Sequence, residues 1–310
     1  MTTRHRQAAA QQGSLYAILV LATFLMGSSF IAGKILLADG YPALLLVGWR
    51  FLLAALATLP LLWLQSKAVP GLVRLRDLDA RGAAIVVLIG LLQTAAVMGL
   101  LFLSMRTISA ATAAILLFTN PLWVALLGRL FLGEQLHASR VVGLLLGIAG
   151  VALSVGWHSH ADGGAGQWQG EVIGLLAAFC WALATIVNKR ANLPVASWPL
   201  SFAQMLTGAL ALLAIAYGLG QRWPAHTSAS QWACFLWLAI PASTGSFGLW
   251  FVALKRGGAS RTSSFLFLAP LFTVGLSYCI LGTRLTWWQG CGAVLICTSL
   301  LLVNRIRLPS

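Results

Sequence analysis

The sequence predicts an all-α integral membrane protein with ten transmembrane helices in two inverted five-helix repeats. Three observations predict this fold: a very apolar composition, apolar runs about 20 residues long, and basic residues that collect on alternate loops. Of 310 residues, 59% are hydrophobic and only 8% are charged, whereas soluble domains carry roughly 25% charged residues. A chain of this composition has too few charged side chains to cover a water-facing surface.

The apolar runs match the thickness of a bilayer, whose core of about 30 Å requires roughly 20 apolar residues per helix. The first run continues past Phe30 without a small-residue cleavage site, so we interpret it as a span and not as a signal peptide. Breaking the runs at Gly, Pro and charged residues predicts spans near residues 15–37, 43–64, 83–104, 110–131, 140–156, 170–188, 199–219, 231–253, 262–281 and 286–303.

The distribution of Lys and Arg predicts the orientation. If both termini are cytoplasmic, 15 basic residues fall on the cytoplasmic side and 5 on the other side, as the positive-inside rule expects. A nine-span or eleven-span chain would place Arg305 and Arg307 outside. Because the basic residues are dispersed between apolar runs, the net charge of +14 does not predict a nucleic-acid partner.

An internal repeat divides the chain into two halves. Residues 120–123 (Asn-Pro-Leu-Trp) recur as residues 269–272 (Ala-Pro-Leu-Phe), at an offset of 149. With five spans per half, an odd number, the second half is upside down relative to the first, a plan common in secondary transporters. We predict a first repeat at 1–157 with a basic cytoplasmic amino terminus, an external Gly-rich linker at 158–169, and a second repeat at 170–310 with a short basic carboxyl terminus.

Several short motifs follow one another with a characteristic order and spacing. They are Gly27-Ser28-Ser29-Phe30 with Lys34, Trp49-Arg50-Phe51, Asn120-Pro121-Leu122 followed by Gly133-Glu134, and Pro270. In these motifs the chain resembles the drug/metabolite transporter superfamily, specifically its EamA-type members. The resemblance implies ten helices around a central cavity and export of small metabolites or drugs. The second copy departs from the first, since Thr283 replaces Glu134 and Ala269 replaces Asn120, so the halves need not contribute equally.

Arg50 lies inside a predicted span, on the order of 10 Å from its start at 1.5 Å per residue. A charge at that depth faces a polar cavity or pairs with protein groups, which makes Arg50 a functional candidate. Alternatively, Arg50 snorkels outward towards Asp39. All six acidic residues lie in loops or at span ends, so we do not expect proton coupling through a carboxylate at the middle of the membrane.

Other polar and aromatic side chains within spans are candidates for lining the cavity. Each has an alternative role: small residues allow close helix packing, amides and hydroxyls bond between helices, and tryptophans pack against helices or lipid. The substrate-cavity candidates are Ser28, Ser29, Arg50, Gln93, Asn120, Trp123, Trp181, Thr185, Ser243, Ser246, Trp250 and Phe267.

Gly27, Pro121 and Pro270 are candidates for helix breaks or gating. Proline removes a backbone donor and frees a carbonyl, and discontinuous helices at a repeat interface often contact substrate. Alternatively, these prolines produce only kinks that neighbouring helices stabilise.

The sequence contains no nucleophile, base and orienting group in an arrangement that indicates an enzyme, and we expect no cofactor. His158, His160 and Asp162 have an unsuitable spacing for a metal site. We expect a small-molecule substrate, membrane lipids as surroundings, and a monomer. The predicted function is a secondary transporter of the inner or plasma membrane that exports metabolites, such as amino acids or their derivatives, or drugs. The alternative is a channel or facilitator for small solutes, which would require a continuous polar stripe.

Overall fold

The structure is a computed structural model that describes residues 2–68, 77–107, 113, 116–135, 138–155, 167–257, 262, 265–281 and 287–304. Regular structure in these residues is helical, without strands. The helices are α1 (Thr2–Ala38), α2 (Ala43–Ala68), α3 (Ala80–Gly90), α4 (Val97–Ser104), α5 (Asn120–Leu132), α6 (Ala138–Val155), α7 (Gln167–Ala191), α8 (Ser197–Gly218), α9 (Ala229–Ala239), α10 (Ser246–Arg256), α11 (Leu268–Leu281) and α12 (Trp287–Asn304).

The chain is an integral membrane protein. Within the described ranges, six helical stretches are long and apolar enough to cross a membrane, and all six overlap predicted spans. They are Gln12–Ala38, Ala43–Trp63, Ala80–Ser104, Trp168–Ala191, Ser197–Gly218 and Ala229–Arg256. The number ten stays a prediction, because residues 108–112 and 114–115, at the start of the predicted fourth span, lie outside the described residues.

Two π-helical segments occur at equivalent positions of the repeat. The first π-segment (Leu91–Ala96) joins α3 to α4, and the second π-segment (Ile240–Gly245) joins α9 to α10. The offset between them is 149, as in the sequence repeat. Pro241 lacks an N–H in the second segment, but the equivalent Leu92 has one, so proline is not their shared cause. Such segments are frequent at functional sites.

Equivalent helices of the two halves have equivalent packing partners. Helix α1 of the first half packs against α11 and α10 of the second half. Its equivalent, α7, packs against α5 and α4, which are the counterparts of α11 and α10. The two halves are therefore interleaved through matching pairs of helices.

Two pairs of equivalent helices, α6 with α12 and α2 with α8, pack directly against each other, and both pairs are antiparallel. In the pair α6 and α12, a Cβ placed on Gly147 would lie 2.7 Å from Ser299 Oγ, and one on Gly150 would lie 2.8 Å from the carbonyl oxygen of Gly292. Residue numbers rise along α6 as they fall along α12. In the pair α2 and α8, Leu45 N donates to Gln221 Oε1, just beyond the end of α8, over 3.1 Å. Antiparallel equivalents are what an inverted repeat requires.

Pro121 and Pro270 lie in the first turns of α5 and α11 and not in helix interiors. The chain turns at 118–119 before α5, and a 3₁₀ segment (Phe265–Phe267) precedes α11. A proline in the first turn loses no helical hydrogen bond, because the N–H groups there have no partner within the helix. The chain therefore departs from α-helical geometry just before each proline, and a role for Pro121 and Pro270 in gating stays a prediction.

Candidate substrate cavity

A cavity lies between the two halves. Its volume is about 40 Å³, which holds only a few water molecules, whereas pockets for organic ligands measure roughly 300–1,000 Å³. The cavity has to widen before a metabolite can enter. Its wall is formed by Met26, Ser29, Phe30, Gly33, Arg50, Met98, Leu101, Phe102, Met105, Leu117, Phe118, Trp181, Ala242, Ser246 and Phe247.

Arg50 is the charged residue among the described residues of this wall. Its side chain is only 3% exposed, and its Nε donates a 2.7 Å hydrogen bond to Ser243 Oγ of the second π-segment. The guanidinium carbon also lies 4.8 Å from the centroid of the Phe51 ring. Arg50 does not snorkel to Asp39, whose Oδ2 accepts a 2.7 Å hydrogen bond from Gln231 Nε2. Arg50 thus points inward and joins the two halves.

The second π-segment prepares Ser243 to accept this bond. Ser243 Oγ donates to the carbonyl oxygen of Leu238, five residues earlier, over 2.8 Å. Because its proton is committed to that carbonyl, the hydroxyl presents lone pairs to Arg50. The π-segment therefore orients the acceptor that holds Arg50 in the cavity wall.

An equivalent contact exists in the other half. Helices α2 and α8 begin 154 residues apart, at Ala43 and Ser197, which makes Gln204 the counterpart of Arg50. The offset of 149 makes Thr94 of the first π-segment the counterpart of Ser243. Thr94 Oγ1 donates to Gln204 Oε1, and both residues are buried. Each half therefore contacts the other half's π-segment, once through a cation and once through a neutral amide.

Four of the twelve cavity candidates lie in the wall: Ser29, Arg50, Trp181 and Ser246. Ser243 and Trp250 lie directly behind it. Ser243 accepts the bond from Arg50, and the Trp250 ring packs edge-on against Trp181 with centroids 5.9 Å apart. Among the described residues, neither indole N–H of this tryptophan pair has a hydrogen-bond partner.

The remaining candidates make contacts elsewhere in the bundle. Three of them bond to backbone or to neighbouring side chains: Asn120 Nδ2 donates to the Ala178 carbonyl, Thr185 Oγ1 donates to the Trp181 carbonyl, and Trp123 Nε1 donates to Thr119 Oγ1. Their contact with substrate stays a prediction.

Ser28, Gln93 and Phe267 also lie apart from the described wall. Ser28 Oγ accepts a 3.0 Å bond from Trp237 Nε1. Gln93 is buried in the first π-segment, and its Nε2 has no partner among the described residues. The Phe267 ring packs against Gly147, where a Cβ would lie 2.3 Å from the ring. A role for these three residues in transport likewise stays a prediction.

Gly27 allows α1 and α11 to approach closely. A Cβ at this position would lie 2.5 Å from the carbonyl oxygen of Ala269, and Thr273 Oγ1 donates a 3.0 Å bond to the carbonyl of Gly27. Any side chain at Gly27 would therefore push α1 away from α11.

Several predicted features fall outside the described residues. They include the loop residues His158, His160 and Asp162, the position Thr283, and the side chain of Lys34.

Sequence analysis did not identify most of the apolar wall. The repeat offers a signal for part of it: an offset of 155 pairs Met26 with Trp181, and an offset of 149 pairs Met98 with Phe247. In both pairs, both equivalents line the cavity.

A wider groove lies on the outside of the bundle. It measures about 380 Å³ and is lined by aromatic and leucine side chains of α2, α8, α9 and the segment between α8 and α9, including Trp49, Tyr217 and Trp232. Trp49 Nε1 donates to Tyr217 OH over 3.1 Å, and all three rings are exposed. Because the described residues that line the groove are uncharged and the groove faces outward, we interpret it as a surface in contact with lipid.

Comparison with known proteins identifies the family. The model of the EamA-like transporter family matches residues 13–156 and again residues 168–305. The chain belongs to the EamA-like transporter family. This membrane transporter thus carries the family's unit twice, as its repeated π-segments and helix pairs suggest.

Relatives of the EamA-like transporter cover almost its whole length. The uncharacterized transporter sll0355 of Synechocystis is 26% identical over 311 residues, covering 93% of this chain and 88% of the relative. The uncharacterized inner membrane transporter YedA of Escherichia coli K12 is 24% identical over 310 residues, covering 99% and 95%. A solved crystal structure has the same fold, with a TM-score of 0.78 and 20% identity over 96% of this chain and 99% of that chain.

Proposed function

We propose that the protein is a secondary transporter that exports small organic metabolites or drugs by alternating access. The observation that carries this proposal is the pair of equivalent contacts, Arg50 to Ser243 and Thr94 to Gln204. Two halves that hold each other through matching contacts can exchange roles, so that two opposite conformations have similar energies. The narrow cavity between them agrees with a state that has to open before it binds.

Polar contacts at the two ends of the helices are candidates for gates. At one end, Lys189 Nζ donates to the carbonyl oxygens of Leu254 and Gly257, over 2.9 and 2.8 Å. At the opposite end, Tyr41 OH donates to Thr227 Oγ1 over 3.0 Å. We propose that these contacts open and close alternately.

The proposal includes ten spans in two inverted repeats, with both termini in the cytoplasm. The excess of basic residues on one side supports this orientation. Under it, Lys189 closes the cytoplasmic end and Tyr41 closes the external end. Reporter fusions at residues 77 and 224 distinguish the sides: we expect a cytoplasmic reporter to be active at 77 only, and activity at 224 would contradict this topology.

Transport by the purified protein tests the proposal. We expect proteoliposomes to accumulate members of a panel of labelled organic acids, amino acids and drugs by counterflow, at rates that saturate with solute. No movement of any panel member in either direction would count heavily against a transporter. Unitary currents in planar bilayers would instead support a channel, the alternative function.

A further inference from the structure

We propose that the cavity selects organic monoanions, each with one carboxylate and an apolar or aromatic body, and that Arg50 binds the carboxylate. This inference rests on the proposed transport function and names its substrate class.

The first step is the state of the Arg50 charge. Its Nε is satisfied by Ser243, but no ion pair or further hydrogen bond to the guanidinium occurs within the described part of the chain. Asp39, the acidic residue considered for it, is bound by Gln231. A buried cation without a counter-ion is unfavourable by several kcal/mol. An anion that enters the cavity would remove that penalty.

The terminal nitrogens of Arg50 are placed to bind a carboxylate. Arg50 contributes to the cavity wall, and its Nε is the nitrogen fixed by Ser243. The terminal nitrogens have no partner among the described residues. Two parallel N–H groups of a guanidinium match the two oxygens of a carboxylate. Ser243 therefore anchors the side chain while leaving its terminal N–H groups for a ligand.

The remainder of the cavity wall is mostly apolar. Ser29 and Ser246 supply hydroxyls, but Ser29 donates to a carbonyl of its own helix and Ser246 donates to a carbonyl of the second π-segment. The other side chains are apolar apart from the indole N–H of Trp181, which has no partner among the described residues. Met26, Met98 and Met105 adapt readily to different shapes. No carboxylate occurs in the described wall that would receive an ammonium group. The wall thus suits an apolar body attached to the anion and disfavours cationic drugs.

The fourth step is the comparison of the halves. Gln204, the counterpart of Arg50, is neutral, bonds to Thr94 and does not contribute to the described wall. The described wall therefore contains one cationic group, so we expect one carboxylate per transport cycle.

Matched ligands test the inference directly. The first series of probes is 3-phenylpropionate, its amide and 3-phenylpropylamine. Two further series of acid, amide and amine are built in the same way, one from 3-(3-indolyl)propionate and one from 4-methylpentanoate. Binding to purified wild-type protein is measured by quenching of tryptophan fluorescence and by the rise in melting temperature. We expect an acid in at least one series to bind about tenfold or more tightly than its amide and amine.

Variants assign the preference to Arg50. Arg50→Gln should remove the preference for the acid, Arg50→Lys should retain part of it, and the control Arg222→Gln, which removes an exposed loop charge, should leave it unchanged. Equal or tighter binding of the amides or amines by wild-type protein in every series would overturn the inference, whether or not Arg50→Gln folds. So would an acid preference that persists in a folded Arg50→Gln variant.

The outcomes separate this inference from the proposed function. Wild-type protein that transports solutes but prefers neutral or cationic ones overturns only the anion selectivity. Wild-type protein that transports nothing counts against the transporter, while the binding series still decides the ligand class.

Discussion

The two halves of this transporter make the same buried contact with different chemistry. Arg50 of the first half binds Ser243 in the second π-segment, and Gln204 of the second half binds Thr94 in the first π-segment. The positions correspond through the repeat, but only one contact carries a charge. We infer that the matching positions of the two contacts allow two conformations, whereas the charge of Arg50 provides one binding group for substrate.

Packing around the two contacts also differs. In the first half, Gly90 allows α3 to approach α8, since a Cβ there would lie 1.8 Å from Thr207 Oγ1. The counterpart of Gly90 in the second half is Ala239, which is buried with its Cβ in place. The first half therefore leaves less space at this position than the second half, since a Cβ fits at Ala239 but not at Gly90.

The largest effect is expected from making the two contacts alike. Arg50→Gln places in the first half the amide that the second half carries, and removes the charge from the cavity wall. We expect the initial transport rate in proteoliposomes to fall at least about 100-fold, as for loss of a buried charged partner. Arg222→Gln is the control. A rate within about threefold of wild type, at equal reconstitution, would remove Arg50 from the site.

A smaller effect on stability is expected from exchanging the residues that set the packing. Gly90→Ala should lower the free energy of unfolding by about 2 kcal/mol, because the new methyl group overlaps Thr207 and the Gln204 backbone. The matched change Ala239→Gly should cost about 1 kcal/mol, the penalty of glycine in a helix. Unfolding in detergent measures both, and an equal or reversed order would contradict the difference in packing.

The hydrogen bond between Thr94 and Gln204 should contribute about 1–2 kcal/mol to the free energy of unfolding. Thr94→Val preserves the shape of the side chain but removes the donor to Gln204. Because the Nε2 of Gln204 already has no partner among the described residues, the variant leaves this buried amide without a hydrogen bond. A double-mutant cycle with Gln204→Leu measures the coupling. Additive losses in the double mutant would show that the contact contributes no net stability.

The smallest effect is expected at the end of the bundle. Lys189→Gln weakens the hydrogen bonds to the carbonyl oxygens at the end of α10. The variant should lower the free energy of unfolding by about 0.5–1 kcal/mol, which is the contribution of other cations at helix carboxyl termini. Hydrogen–deuterium exchange across residues 250–257 should accelerate in the variant. Unchanged exchange there would exclude Lys189 as a gate contact.

The repeat was accessible from the sequence, and so was the burial of Arg50. The proline motif at 120–123 and 269–272 set an offset of 149, and the two π-segments obey it. The depth of Arg50 in its span predicted a group facing a cavity or pairing within the protein. The lengths of the apolar runs and the internal repeat therefore predict the membrane helices and the correspondence between the halves.

The partners of these groups could not be predicted. Ser243 becomes an acceptor for Arg50 only because a π-segment directs its hydroxyl to Leu238, and no sequence pattern distinguishes a π-segment from an α-helix here. Thr94 lies in an apolar run whose sequence pattern does not distinguish it from its neighbours. Neither sequence offset, 149 or 155, transfers Arg50 to Gln204, because the offset of 154 between α2 and α8 becomes apparent only from the helix starts in the structure. Helix starts at Pro121 and Pro270 cannot be distinguished from kinks in the sequence, because both prolines lie inside long apolar runs.

Distances between spin labels at the two ends test alternating access most directly. One pair is placed at Ala38 and Ser230 and the other at Arg190 and Arg256, in a variant whose native cysteines are replaced by alanine. Double electron–electron resonance should show that a transported solute shifts the two distance distributions in opposite directions. Ends that widen together, or distributions that stay unchanged with saturating solute, would contradict alternating access.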